Sequence, residues 1–198
     1  LVIAQTDVDK KHKGINAFIV HKDWPGVTVG AKENKMGIRG SDTHSISFQD
    51  VIVPKENRIG EDGFGFTFAM KVLSGGRIGI ASQALGIASG ALELATKYSK
   101  ERKAFGNEIM HHQAIASKLA DMATAVEAAR LLCLKSAWEK DMHMNYDVSG
   151  ATAKLYASEI AQWVTNEAVQ IHGGYGYVKE FHVERLMRDA KITQIYEG

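Results

Sequence analysis

Proline occurs at two positions only, Pro25 and Pro54, so residues 55–198 contain none. Because proline inside a helix costs about 3 kcal/mol, that long stretch is open to continuous helix and the first quarter of the chain is not. The chain therefore reads as two regimes joined near residue 60. With 45% hydrophobic residues among 198, it can bury a real core. The 24 basic and 23 acidic side chains leave a net charge of +1. That balance argues against a partner held by phosphate neutralisation, hence against nucleic acid, and against an acidic disordered tail. A single cysteine, Cys133, excludes an intramolecular disulfide framework and a multi-thiolate zinc site, and fits a reducing compartment. No uninterrupted apolar run approaches the roughly 20 residues of a bilayer span, so no membrane partner is expected. Both ends, Leu1-Val2-Ile3-Ala4 and Ile195-Tyr196-Glu197-Gly198, read as cuts, and the chain is expected to be part of a longer one.

Short β-branched or aromatic runs at Leu1–Thr6, Ile15–His21, Val27–Val29 and His44–Val53 alternate with turn residues and predict an antiparallel β region. The alternation in 44–51 predicts a half-buried strand with a slip near Asp50. From Phe64 the period becomes helical. Leu119, Met122, Val126, Ala129, Cys133 and Ala137 form one stripe, and Ile160, Val164, Ala168 and Ile171 another. Helices are expected over about 64–99, stopped by the charged stretch ending at Gly106, then from about His111, after a cap at Asp147 or Ser149, and over about 179–195. The predicted architecture is α+β. Residues 1–58 form a remnant of an antiparallel β domain, and 59–198 an up-and-down four-helix bundle.

Tested singly, the local motifs exclude more than they identify. Gly173-Gly174-Tyr175-Gly176 has Lys179 where a dinucleotide loop needs its third glycine, and no strand precedes it. Glu108-Ile109-Met110-His111 has di-iron spacing but no second such pair. Ser89 lacks the glycine of a hydrolase elbow, and Cys133 lies on an apolar stripe. Arg77, among small neighbours in Gly75-Gly76-Arg77-Ile78-Gly79, and Arg102, at a helix end, remain open between ligand contact and a helix-dipole or solvated role.

Read in order, these segments resemble the flavin-dependent acyl-CoA dehydrogenases. The segments are Met36-Gly37-Ile38-Arg39-Gly40-Ser41, Pro54-Lys55-Glu56-Asn57 with Gly60, and Gly76-Arg77-Ile78-Gly79-Ile80-Ala81. They continue with Tyr98, Arg102, Phe105 and Gly106, then His112-Gln113, Gln170-Ile171-His172-Gly173-Gly174-Tyr175-Gly176, Arg188-Asp189-Ala190-Lys191 and Tyr196-Glu197-Gly198. The general look of 75–88 is most like the short-chain, butyryl-CoA group.

The resemblance implies an FAD enzyme that converts an acyl-CoA thioester to the trans-2-enoyl-CoA. Glu197 would be the base for the α-proton, with hydride passing to flavin N5. Some relatives carry the base at the position of Gly76, which glycine excludes here. Ser74, Gly75, Gly76, Arg77 and Gly198 would line the substrate cleft, although many relatives have aspartate where Ser74 stands. Arg102, Phe105, Gln113, Gln170, Ile171, His172 (through its backbone), Gly173 and Gly174 would serve the FAD, partly that of a neighbouring subunit. No residue is assigned to a metal. The resemblance further implies a homotetramer that passes electrons to electron-transfer flavoprotein. Its place would be the cytoplasm of a bacterium or the mitochondrial matrix of a eukaryote. An oxidase using O₂ is the enzyme alternative. A catalytically inactive helical oligomerisation module is the alternative for this chain by itself, which is expected to be inactive alone.

Overall fold

A computed structural model describes residues 1–198. By compactness the chain divides into two units, one of residues 1–35 and 39–73 and one of 36–38 and 74–198.

In the first unit, β1 (Val2–Gln5), β2 (Ile15–Phe18) and β5 (Arg58–Ile59) form an antiparallel sheet in the order β1-β2-β5. Strands β3 (Val27–Lys32) and β4 (His44–Phe48) make a separate antiparallel pair. Its register slips between Val29 and Lys32, not near Asp50, which lies beyond the strand with a positive φ of 50°. The expected half-buried face of β4 is exposed, with Ile46 at 55% and Phe48 at 46%. Buried Asn16 organises the approach to the first helix. Its amide donates to Thr6 Oγ1 (2.7 Å) and Asp62 Oδ1 (3.0 Å), and its carbonyl accepts from Gly63 N–H (2.9 Å). A burdened polar side chain in a small sheet thus ends with every group satisfied. The first turn of α1 (Gly65–Glu101) sits directly on this strand, since a Cβ at Gly65 would meet the Asn16 backbone. That packing is why compactness divides the chain within α1 rather than before it.

The second unit contains the rest of α1, α2 (Gln113–Asp141), α3 (Asp147–His172) and α4 (Val183–Ala190). On α1 the core residues are Ala81, Ala84, Ala88, Ala91 and Ala95, alternately three and four apart and all at 0% exposure. They belong to one buried core with Met122, Val126, Ile160, Val164 and Ile171, whose larger side chains supply the volume that alanine lacks. An 18-residue window of α1 reaches a mean hydropathy of 1.3, enough by length and composition to cross a membrane. Isoleucines, leucines and alanines carry that average, and the glycines and polar residues between them keep any uninterrupted apolar run short. The alanines concerned are the packed seam. Buried hydroxyls satisfy themselves on the preceding turn: Ser99 on Thr96 O, Ser136 on Cys133 O, Thr165 on Ala161 O and Thr193 on Ala190 O.

Three local expectations are corrected. Neither Asp147 nor Ser149 caps α3. Asn145 Oδ1 accepts the Asp147 N–H at 3.0 Å instead, and the Ser149 hydroxyl serves Tyr146 O and the Glu139 carboxylate. The last helix starts at Val183, because Gly173–Tyr177 forms a 3-10 turn first. It continues past Ala190 as the 3-10 turn Lys191–Gln194. Between α1 and α2, the residues read as a charged helix stop form a two-strand ribbon, β6 (Lys103–Ala104) with β7 (Asn107–Glu108). Its two turn residues, Phe105 (φ 54°) and Gly106 (φ 84°), both have positive φ, as a tight hairpin requires.

Candidate active site

Tyr196, Glu197 and Gly198 follow the 3-10 turn after α4, and each is tied to a different side chain of α1 or α3. The Tyr196 hydroxyl donates to Gln83 Oε1 at 2.6 Å. Burial pushes the Tyr196 phenol above its ordinary pKa, which keeps it a neutral donor; its bond to Gln83 opposes this and the Glu197 carboxylate adds to it. Arg77 Nε donates to the Glu197 carbonyl at 3.3 Å, and Lys154 Nζ to the Gly198 carbonyl at 2.9 Å. Glu197 has φ 64° and Gly198 φ 85°. A left-handed conformation strains a non-glycine residue by about 1–2 kcal/mol and persists only where its surroundings over-determine it.

This turn directs the Glu197 carboxylate onto α1. Oε2 is buried and has no hydrogen-bond partner. A Cβ built at Gly76 would lie 2.6 Å from Oε2 and 3.1 Å from the carboxylate carbon, so the space a side chain would fill at Gly76 is taken by Glu197. A buried carboxylate oxygen without a donor costs roughly 1–3 kcal/mol or more, and such a group calls for an explanation in what the site does.

Of the residues assigned to the substrate cleft, Gly76, Arg77 and Gly198 therefore converge on Glu197. Gly75 and Ser74 turn elsewhere. Gly75 faces Lys140 Nζ at the end of α2, and the Ser74 carbonyl faces Gly150 on α3. Sequence reasoning missed Lys154 and Gln83. Lys154 is only 4% exposed and lies within the α3 stripe of Gly150, Ala153, Ala157 and Ala161. A lysine among alanines at core spacing was the signal that could have found it.

A second concavity, of about 470 Å³, lies where the end of α1 meets the turn after α3. It is lined by Tyr98, Arg102, Ile109, Ile171, His172, Gly173, Gly174, Tyr175 and Val178. Arg102 has no carboxylate partner, and its guanidinium stands 5.8 Å from the Tyr175 ring centre. Gly173 (φ 60°) and Gly174 face open space, since a Cβ on either would meet nothing within 4 Å. A free guanidinium beside an uncovered glycine edge is suited to an anion such as a diphosphate. His172 does more than its assigned backbone role. Its ring is buried, donates from Nδ1 to Ala168 O at 2.7 Å and stacks on Tyr98 at 4.3 Å. Burial lowers its pKa, against a smaller opposing effect of the Ala168 bond, and favours the neutral ring. Phe105, Gln113 and Gln170 do not line this concavity. Phe105 is 95% exposed at the ribbon tip, and Gln113 and Gln170 are exposed at the start of α2 and near the end of α3.

One further element joins the helical unit. Arg188 on α4, in a bidentate pair with Glu184, donates to Met36 O at 2.7 Å, and Asp189 accepts the Ile38 N–H at 2.7 Å. Gly37 lies flat on the Arg188 backbone, where a Cβ would clash. The remaining acid–histidine motif, Glu108 and His111, is an exposed pair at 3.6 Å, and no group of three or more potential metal ligands converges anywhere.

With this geometry in hand, comparison with known proteins gives a consistent answer. The family model described as acyl-CoA dehydrogenase, C-terminal domain, matches residues 63–198. The chain belongs to the acyl-CoA dehydrogenase family. It is 54% identical over its whole length to the short-chain specific acyl-CoA dehydrogenase of Megasphaera elsdenii, covering 52% of that protein. It is 52% identical, again over its whole length and 52% of the relative, to subunit CarC of the caffeyl-CoA reductase–Etf complex of Acetobacterium woodii. The solved structure of butyryl-CoA dehydrogenase from M. elsdenii superposes with a TM-score of 0.96 at 55% identity, over 99% of this chain and 51% of that one. The chain thus spans about half the length of the curated relatives it matches.

Proposed function

We propose that this chain carries the base-bearing part of an FAD-dependent dehydrogenase acting on short acyl-CoA thioesters, with Glu197 as the base. The observation that carries the reading is the buried, unpartnered Glu197 oxygen set against Gly76. Dehydrogenation removes a proton from the α-carbon and a hydride from the β-carbon, leaving the trans-2-enoyl thioester. Glu197 takes the α-proton on its free oxygen. A thioester α-carbon is a weak acid, so the base must be held in place and kept from water, and α1 does both on one side. Glycine at position 76 leaves room for the carboxylate itself, which any side chain there would push away. Arg77 and Lys154 act on backbone carbonyls and leave the carboxylate itself uncommitted.

FAD, when bound, supplies at N5 the acceptor for the β-hydride. Arg102 and the Gly173–Gly174 edge are the groups of this chain that would hold its diphosphate, with exposed Phe105, Gln113 and Gln170 available to the cofactor of a neighbouring subunit. We read residues 1–58 as the end of a β domain and 59–198 as the helical domain of a homotetramer. The Etf complex of the A. woodii relative supports electron-transfer flavoprotein as the electron acceptor. The test is Glu197→Gln in the full-length protein. It is expected to retain FAD but not to bleach when butyryl-CoA is added anaerobically; bleaching at the wild-type rate removes Glu197 as the base.

A further inference from the structure

Lys154 is the charged group that this chemistry leaves unused. It lies in the first third of α3, 4% exposed, where neighbouring core positions are alanine. Taking an ammonium out of water costs several kcal/mol unless it is paired, and neither Glu197 nor Glu159, the acidic side chains nearest in effect, bonds to it. Its acceptor is the main-chain oxygen of Gly198, the last residue of this sequence, at 2.9 Å. A lysine placed only to fill volume would be replaced by an apolar side chain at lower cost.

The atom it holds belongs to the strained turn that carries the proposed base. Resting on the reading of Glu197 as that base, we propose that Lys154 is a positioning residue. Its ammonium pins the Gly198 carbonyl while Arg77 pins the Glu197 carbonyl, and together they fix the left-handed Glu197–Gly198 turn that sets the carboxylate against Gly76. Two cations from two helices gripping successive carbonyls supply the over-determination that a φ of 64° at a glutamate demands. Neither cation spends its hydrogen bond on the carboxylate, so the base is held by its backbone and stays free to accept a proton. The charged groups around the ammonium are Glu197, Arg77 and Glu159. Burial lowers the Lys154 pKa, Arg77 adds to this, and the two glutamates oppose it.

The test compares Lys154→Met and Lys154→Gln in the full-length enzyme, each normalised to bound FAD. A base displaced by about 1 Å loses on the order of 100-fold in rate. Lys154→Met, similar in length but without a donor, is expected to lose about 100-fold in kcat with KM within a few fold of wild type. Lys154→Gln, which keeps a donor for the Gly198 carbonyl, is expected to recover at least tenfold of that loss. If Lys154→Met lowers thermal stability or FAD content but leaves kcat per flavin unchanged, Lys154 is structural only and the proposal is overturned. Should Lys154→Met fail to accumulate, Lys154→Gln decides alone: kcat per flavin within tenfold of wild type supports the clamp, and a loss beyond 100-fold overturns it. Glu197→Gln run in parallel separates the two readings. An active Glu197→Gln removes the base assignment itself, whereas an inactive Glu197→Gln beside a fully active Lys154→Met removes only the clamp.

Discussion

Glycine means opposite things in the two regions that make up the candidate site. At Gly76 the missing side chain is replaced by a neighbour, because the Glu197 carboxylate occupies the space where a Cβ would stand. At Gly173 and Gly174 nothing of this chain replaces it, and the backbone edge faces open space beside Arg102. The first region is half-buried, strained and tied down by three side chains. The second is open, lined by stacked aromatics and a free guanidinium. A base must be aimed to a fraction of an ångström and kept from water, whereas a diphosphate needs donors it can reach. On the function proposed above, the contrast separates a place where a bond would be broken from a place where a charged ligand would be held.

Substitutions at the two glycines can break that contrast. Gly76→Ala should have the largest effect. The new Cβ meets the far end of a flexible side chain, so the helix accepts it and gains up to about 1 kcal/mol from the better helix former. The displaced carboxylate should cost on the order of 100-fold in kcat/KM. Steady-state kinetics beside a thermal melt checks both, and a stable, fully active variant would dissolve the distinction. Arg102→Ala should weaken FAD retention by roughly ten- to a hundredfold, the value of a charge-assisted hydrogen bond of about 1.5–3 kcal/mol. Dialysis against FAD-free buffer followed by flavin absorbance measures this. Gly174→Ala should leave the melt within about 1 kcal/mol of wild type and loosen FAD only severalfold, since its Cβ touches no protein atom.

The smallest effect concerns pH. His172 has a folded pKa below its unfolded value of 6.5, so the unfolded chain binds the extra proton first as pH falls. Stability should therefore decline as pH drops from 6.5 through the lowered folded value and level off beneath it. His172→Phe, which keeps a ring against Tyr98, should flatten that decline in melts taken across the window. An unchanged slope would assign it to other groups.

The proline distribution placed the change of regime close to where α1 begins, and the periodic stripes marked all four named residues on α3 and four of six on α2 as buried, Leu119 and Ala137 being half-buried. Both signals are repeated many times along the chain, which is what makes them readable. What escaped depends on single contacts. Phe105-Gly106 turns a ribbon, and phenylalanine is an unexpected residue for the positive φ that this turn needs. The start of α4 was placed too early because Lys179–Val183 has helical composition, while the preceding glycines form a 3-10 turn. For the site, the order of motifs identified the family, and Glu197 rests on that resemblance as a proposal. Nothing in the spacing of residues 76, 77, 154 and 197 announces that they meet, since that depends on how α1, α3 and the final turn pack. Lys154 was passed over for the same reason.

The central claim is that Glu197 removes the α-proton, and proton exchange reads that step without the redox chemistry. The full-length enzyme would be incubated in D₂O with an acyl-CoA thioester whose β-carbon cannot release hydride, and deuterium at the α-carbon followed by mass spectrometry. Wild type is predicted to exchange the α-proton at many times the enzyme-free rate, and Glu197→Gln, with FAD still bound, at the enzyme-free rate. Exchange at the wild-type rate in Glu197→Gln would contradict the account and move the base to another residue.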